Sequence, residues 1–199
     1  MADLDVSRET FDRLKVFADL LTRWNPRINL VSRNSLSDLW RRHIQDSVQV
    51  FRCVEARPHW ADLGSGGGFP GLICAILARE CWPGTKFTLV ESDQRKSAFL
   101  RSATRECEVN CTVISRRIEA IEPLAADILS ARALADLPML LSYCDRHLAP
   151  TGTALFPKGV SWKKEVEEAR KEWRFDATPI TSETEPQAVI LKIEGVSRG

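Results

Sequence analysis

No apolar run in this 199-residue chain approaches the length of a bilayer-spanning helix, and the polar, mixed-charge residues 1–9 contain no apolar signal stretch. The sequence therefore predicts a cytosolic protein with no membrane partner. Charge of one sign is also missing, since 28 basic against 27 acidic side chains leave a net charge of +1. That balance neither demands nor forbids a nucleic-acid partner, because a local patch matters more than the sum. The six cysteines (Cys53, Cys74, Cys81, Cys107, Cys111, Cys144) form no Cys-x-x-Cys pair. Zinc is therefore not expected, and in a reducing compartment these residues read as small buried hydrophobes or free thiols. No Gly-Lys-Ser/Thr follows the glycine-rich stretch, which excludes a P-loop. Internal repeats and low-complexity segments are absent as well.

What is present fits one compact α/β domain with a modest extension: 44% hydrophobic and 28% charged residues, ordinary for a globular chain. Residues 7–24 have apolar positions at helical spacing (Phe11, Leu14, Phe17, Leu21, Trp24), with Ser7 as N-cap and Pro26 as terminator. A second helix is expected from Ser35, where Ser35 and Asp38 have capping-box spacing, through Phe51. Pro58 ends this region, giving an N-terminal helical cap over 1–58 and a main domain over 59–199. The main domain alternates short apolar runs with helical stretches. Strands are expected at Trp60–Leu63, Phe87–Val90, Thr112–Ile114, Asp127–Leu129, Thr153–Phe156 and Ala188–Ile193. Helices are expected at Gly71–Arg79, Arg95–Glu106, Leu137–Leu148 and Lys163–Glu172. Such alternation predicts βαβ units and a mainly parallel, Rossmann-like sheet. A further strand near Phe175 would pair antiparallel with Ala188–Ile193 at the sheet edge.

The most informative stretch is Asp62-Leu63-Gly64-Ser65-Gly66-Gly67-Gly68-Phe69-Pro70-Gly71, which follows a strand and opens a helix. Glycines there let the backbone turn sharply and approach a ligand closely, and exposed N–H groups at a helix start favour electronegative atoms. Pro70 suits the first helical turn. Glu91 ends the second strand, where a carboxylate can accept from both hydroxyls of a ribose. Gly66, Gly68 and Gly71 also satisfy the dinucleotide pattern, with Glu91 20 residues past Gly71. An NAD-dependent oxidoreductase therefore stays open at this point. Against it stand the Gly64-Ser65 pair, which separates strand from turn, and Pro70, which sits where the helix should pack closely. The acidic-x-Gly-x-Gly-x-Gly order of Asp62, Gly64, Gly66 and Gly68 fits a methyltransferase loop instead.

Six ordered groups of residues carry a resemblance: Arg42-His43-Ile44-Gln45-Asp46-Ser47, the loop ending Phe69-Pro70-Gly71, Glu91 with Arg95-Lys96, Arg117-Ile118-Glu119, Ala131-Arg132-Ala133, and Lys158-Gly159. From about Phe17 to Lys158 the chain resembles the bacterial small-subunit (16S) ribosomal RNA guanine-N7 methyltransferases, once called glucose-inhibited division protein B. Gly67, where the family commonly has proline or alanine, and the short linker Glu122–Ala126 depart from the pattern; the segment after Ser161 has few family signatures. The resemblance implies a class I methyltransferase fold and S-adenosylmethionine as cofactor. It implies that Asp62, Gly64, Gly66 and Phe69 form the cofactor pocket, that Glu91 holds the ribose, and that Ile118 and Glu119 flank the adenine. Arg132 would lie near the methionine end or the target. The implied partner is 16S ribosomal RNA or the small subunit, met by a monomer without metal.

N7 of guanine carries an in-plane lone pair and no proton, so its methylation needs no general base, and no catalytic residue of that kind is expected. The sequence agrees in two absences: no cysteine follows a proline, as cytosine-C5 chemistry requires, and no Asn/Asp-Pro-Pro-aromatic motif is present, as exocyclic amine methylation requires. His43, Asp46 and Ser47 share a helix face, but a packed polar side docking the cap reads better than a triad. Arg41, Arg42, Arg132 and Lys158 are the expected RNA contacts, from the cap and the cofactor edge of the sheet. A non-catalytic RNA-binding protein on a methyltransferase scaffold is the remaining alternative.

Overall fold

The structure, a computed structural model, describes residues 4–199; residues 1–3 of the opening stretch lie outside the described residues. Helix α1 (Arg8–Ile28) starts as its sequence dictates, with the Ser7 hydroxyl accepting from the Thr10 N–H at 3.1 Å. It runs past Pro26, the expected terminator, and ends where Asn29 turns left-handed at φ 48°. A proline this close to the end costs only one backbone bond, and the buried Leu14, Phe17 and Leu21 hold the helix in place regardless. The Asn25 carboxamide accepts from the Val31 N–H at 2.9 Å and fixes the exit.

The expected second helix is three pieces. A short α2 (Arg33–Leu36) is capped by Ser32 rather than Ser35; a six-residue π-helical turn follows at Trp40–Gln45, and α3 spans Asp46–Arg52. Ser35 therefore lies inside a helix and forms no capping box with Asp38. A π turn widens the helix by one residue and re-aims the side chains after it, a feature frequent at functional sites. Here it carries His43 and leads into Asp46.

Among the described residues seven strands form one sheet: β1 (His59–Leu63), β2 (Lys86–Val90), β3 (Cys111–Ile114), β4 (Ala126–Ser130), β5 (Leu148–Lys158), β6 (Trp173–Thr181) and β7 (Val189–Arg198). Their order is β3-β2-β1-β4-β5-β7-β6; the first five are parallel, and β7 runs antiparallel to both β5 and β6. The intervening helices are α4 (Gly71–Cys81), α5 (Gln94–Glu106), α6 (Leu137–His147) and α7 (Trp162–Ala169). A 3₁₀ turn occupies Ile118–Ala120. Helix α7 stops short of the expected Glu172 because Trp173 already enters β6. The edge hairpin of β6 and β7 matches the expectation at Phe175.

Successive strand residues point to opposite faces, and the core follows that period of two. Trp60, Leu89, Ile128, Leu155 and Ile190 join one cluster with Phe17, Phe99 and Ile73 from α1, α5 and α4. Their neighbours Leu63, Val90, Leu129, Phe156 and Leu191 join a second cluster with Leu141 and Trp173. Each fully buried large side chain contributes about 2–3 kcal/mol, so both faces are firmly covered. Strands β1, β2, β3, β4 and β5 all end at one edge, the place where open α/β sheets bind ligands.

Candidate functional site

The glycine loop leaves β1 at that edge. Gly64 sits at φ +66°, and a Cβ there would fall 2.6 Å from Leu134 Cδ1, so only glycine fits. Gly71 is fixed for another reason: its Cβ would lie 2.4 Å from that of Asp62, where α4 crosses β1. Pro70 stands just before α4, as its N-cap, rather than in the first helical turn. Glu91, 8% exposed at the end of β2, spans two loops: Oε2 accepts from the Gly66 N–H and Oε1 from the Asp93 N–H, both at 2.8 Å.

These loops border a cleft of about 290 Å³, lined by Gly64, Gly66, Glu91, Ile118, Glu119 and Tyr143. Tyr143, the chain's single tyrosine, donates to Glu119 Oε1 at 2.6 Å. Burial and then the Glu119 carboxylate push the phenol up to about 12, while that bond holds the Glu119 carboxyl below its usual range. Lys96 and Arg117 lie at the cleft as well. The arrangement offers backbone N–H groups, two carboxylates and an apolar wall (Ile118, Leu134), which suits a flat ring joined to a polyhydroxyl group.

A second cavity, of about 190 Å³, opens beyond the loop after β4, lined among others by Asp46, Gln49, Arg132, Lys158, Ser182 and Glu185. Ala133, at φ +52°, carries the chain between the two: Ala133 and Leu134 face the first cavity, Arg132 the second. The half-buried Arg132 guanidinium lies 4.8 Å from the centre of the Phe69 ring, on which His43 also stacks at 4.9 Å. Burial lowers Arg132 to about 10, against the opposing pull of Asp46 and Asp62. His43 falls to about 3, by burial first and then by Arg132 and Arg42, so its ring is neutral. Both of its nitrogens are buried without a partner.

The family model for rRNA small subunit methyltransferase G matches residues 10–188. The chain belongs to that family. It is 67% identical to the ribosomal RNA small subunit methyltransferase G of Ruegeria pomeroyi, over 98% of this chain and 96% of that protein. To the protein of the same name from Cereibacter sphaeroides it is 46% identical, over 99% and 96%. Family membership makes the chain a methyltransferase. Its fold is shared with a ribosomal protein L11 methylase from Lactobacillus delbrueckii subsp. bulgaricus (TM-score 0.59, 17% identity, 77% of each chain). It is shared too with a SAM-dependent methyltransferase from Aquifex aeolicus (TM-score 0.59, 12% identity, 78% of this chain and 92% of that one). The class I, Rossmann-like expectation thus holds.

In this family member Gly64, Gly66, Glu91, Ile118 and Glu119 meet at one cleft. The other expected cofactor residues stand elsewhere. Asp62 is fully buried beneath the loop; its Oδ1 accepts from the Ser130 hydroxyl at 2.6 Å, which accepts in turn from Trp60 Nε1 at 2.9 Å. Burial raises its carboxyl to about 6. Phe69 is buried against His43, Arg132 and Phe17. Of the expected RNA contacts, Arg41 and Arg42 are exposed, and Arg41 donates to the Thr184 carbonyl at 3.0 Å. Lys158 is turned inward, 9% exposed, donating to Glu165 at 2.7 Å and the Ala135 carbonyl at 2.9 Å. Two of its three ammonium protons are therefore already engaged by the protein. His43, Asp46 and Ser47 form no triad: the Ser47 hydroxyl donates to the His43 carbonyl, and Asp46 accepts from Thr184. Tyr143 gave no signal in the sequence beyond being the only tyrosine. Among the described residues, no three His, Cys, Asp or Glu side chains converge on a common metal position.

Proposed function

We propose that the chain binds S-adenosylmethionine in the Gly64–Glu91 cleft and methylates N7 of a guanine in the decoding-region loop of 16S ribosomal RNA. The observation that carries the cofactor reading is the glycine loop fixed to Glu91 by the Gly66 N–H at 2.8 Å, at a cleft where Gly64, at φ +66°, leaves no room for a side chain beside Leu134. Glu91 would hold the ribose hydroxyls with the lone pairs that Gly66 and Asp93 leave free. Ile118 and Glu119 would flank the adenine, and Tyr143 would keep Glu119 oriented. The cofactor supplies an electrophilic methyl group: the N7 lone pair forms the new C–N bond as the S–C pair returns to sulfur, and no proton moves. The chain's own task is then alignment, which can be worth roughly 7–11 kcal/mol. Phe69 packs against Arg132 and His43 and would keep Arg132 in place at the second cavity. Exposed Arg41 and Arg42 would meet RNA phosphate, with Lys158 and Arg132 deeper in the same region. The helical residues before β1 would serve as the RNA-side cap of a monomer working in the cytoplasm.

Transfer of labelled methyl to small-subunit RNA, followed by nucleoside mapping, tests the reading; N7-methylguanosine is the expected product. A different methylated nucleoside would replace the target, and tighter binding of NAD than of S-adenosylmethionine would replace the cofactor.

A further inference from the structure

The second cavity holds two opposite charges that do not close on each other. Asp46 and Arg132 both line it and lie within each other's electrostatic reach, yet no ion pair joins them among the described residues. Both are half-buried, so leaving them apart costs solvation that an ion pair would partly recover. Asp46 spends one oxygen, Oδ1, on the Thr184 hydroxyl, and its Oδ2 has no protein partner. Gln49 is satisfied, donating to the Thr181 carbonyl at 2.7 Å and accepting from the Glu183 N–H at 3.0 Å, so it props the wall. Lys158 is tied to Glu165. Asp46 Oδ2 and the Arg132 donors beyond its 3.4 Å bond to the Arg42 carbonyl therefore face a volume of about 190 Å³, with the exposed Glu185 carboxylate also on its lining.

Guanine offers the matching pattern. Its N1–H and N2–H₂ are two parallel donors that a carboxylate accepts together, while O6, next along the edge, is an acceptor for a guanidinium. Adenine and uracil lack the paired donors, and cytosine has only the one amine. Resting on the guanine-N7 reading above, we propose that Asp46 is the specificity-determining residue of this methyltransferase, accepting from N1–H and N2–H₂ of a target guanine turned out into the second cavity while Arg132 donates to O6. This pose leaves N7 unblocked on the far side of O6, near the strip formed by Ala133 and Leu134 that borders the first cavity. It also favours the reaction. Methylation on N7 makes the ring cationic and its N1–H more acidic, so the hydrogen bond to the Asp46 carboxylate strengthens as the charge develops, against the repulsion from Arg132 at O6. Turning a base out of its stack is the usual requirement for chemistry on a nucleobase, and a snug pocket reading its Watson–Crick edge is the usual means of recognition.

The test uses the whole chain and a short small-subunit RNA carrying either guanosine or inosine at the mapped target position; inosine lacks only the N2 amine. Equilibrium RNA affinity without cofactor and single-turnover methylation are both read. The parental protein should favour guanosine roughly ten- to a hundredfold, the scale of one hydrogen bond to a charged acceptor. Asp46→Ala should bring that ratio close to one while S-adenosylmethionine affinity stays at the parental value. Thr184→Val, which removes the structural bond to Asp46 and keeps the carboxylate, should retain the parental ratio. A parental protein indifferent to inosine, or an Asp46→Ala protein that keeps the preference, overturns the assignment. If the ratio falls equally in Thr184→Val, wall geometry rather than the carboxylate sets it, which overturns the assignment as well. Should mapping find a methylated nucleoside other than N7-methylguanosine, the functional reading fails first, and that outcome is separate from all of these.

Discussion

The cleft at Gly64 and Glu91 is bordered mainly by loops that follow neighbouring parallel strands, whereas the cavity at Asp46 and Arg132 is made by side chains from four distant segments. In the first, the ligand surface is set once β1 and β2 pair: Gly66 N–H to Glu91 is a bond between residues 25 apart. In the second, Asp46 meets Thr184 across 138 positions, and Gln49 meets Thr181 across 132. The first is a fixed groove that any member of the fold can build. The second depends on helices packed from outside the sheet and on the last hairpin, so it can diverge without disturbing the first. Substitutions can therefore separate the two, and the expected effects run from loss of cofactor to a change in salt response.

Gly64→Val should have the largest effect. An L-residue at φ +66° costs about 1–2 kcal/mol, and branched carbons pressed on Leu134 add about 1–3 kcal/mol. Calorimetry should detect no S-adenosylmethionine binding, while circular dichroism still reports a folded sheet. Undiminished affinity would show that the loop does not cradle the ligand.

The buried Asp62 predicts a pH dependence of stability. Its carboxyl rises from an ordinary 3.8 to about 6 because burial disfavours the charge. Between those values the folded chain holds more protons than the unfolded one, so this group's contribution to stability is full below pH 4 and is lost as pH rises through about 6. A shift of this size corresponds to about 3 kcal/mol. Subtracting urea denaturation curves of Asp62→Asn from those of the parent at pH 4, 5, 6 and 7 should reveal that slope. A flat difference would mean that Asp62 is not held as the structure indicates.

Glu91→Ala should weaken cofactor binding by about 1–3 kcal/mol, the loss of a charged acceptor. Because the carboxylate also anchors the Gly66 N–H, Glu91→Gln should recover part of the affinity through its remaining carbonyl oxygen. Equal affinities for Ala, Gln and parent would reduce Glu91 to a bystander.

Replacing Arg41 and Arg42 together with Ala should have the mildest effect and act on the RNA side alone. If both meet phosphate, the log–log dependence of RNA affinity on salt should flatten by up to about 1.4, twice the single-strand slope of about 0.7 per contact. Cofactor affinity should not move. An unchanged salt slope would shift RNA contact to other basic groups, with Lys96 and Arg117 at the first cleft as the next to test.

The same local-versus-distant contrast decides what the sequence reveals. The strand runs and the glycine loop were readable because each is a continuous stretch with its own period, and five of the eight expected cofactor residues meet at one cleft. Asp62 and Phe69 belong to the same stretch, but sequence order cannot tell a residue that lines a loop from one that lies beneath it. Pro26 misled because tertiary packing kept the helix going beyond a local stop signal. The π turn at Trp40–Gln45 carries no composition signal, so the aim of His43 and Asp46 is not legible in the sequence. Ser182 and Glu185 come from a connection with no periodicity at all. Lys158 looked available because its partner, Glu165, lies on the helix after the strand and folds back over it.

The strand order has a consequence for how the molecule is assembled. Strand β7 is the last in chain order yet lies between β5 and β6, so β6 cannot join the sheet until residues 189–198 exist. During synthesis the outer edge of β5 stays open, a template for mispairing, until β7 is laid against it. The connection that bears Ser182, Thr184 and Glu185 arrives in the same event. A nascent chain can therefore shape its glycine cleft well before its base cavity, and a chain cut short of β7 would keep the groove for the cofactor while lacking the wall that selects what receives the methyl group.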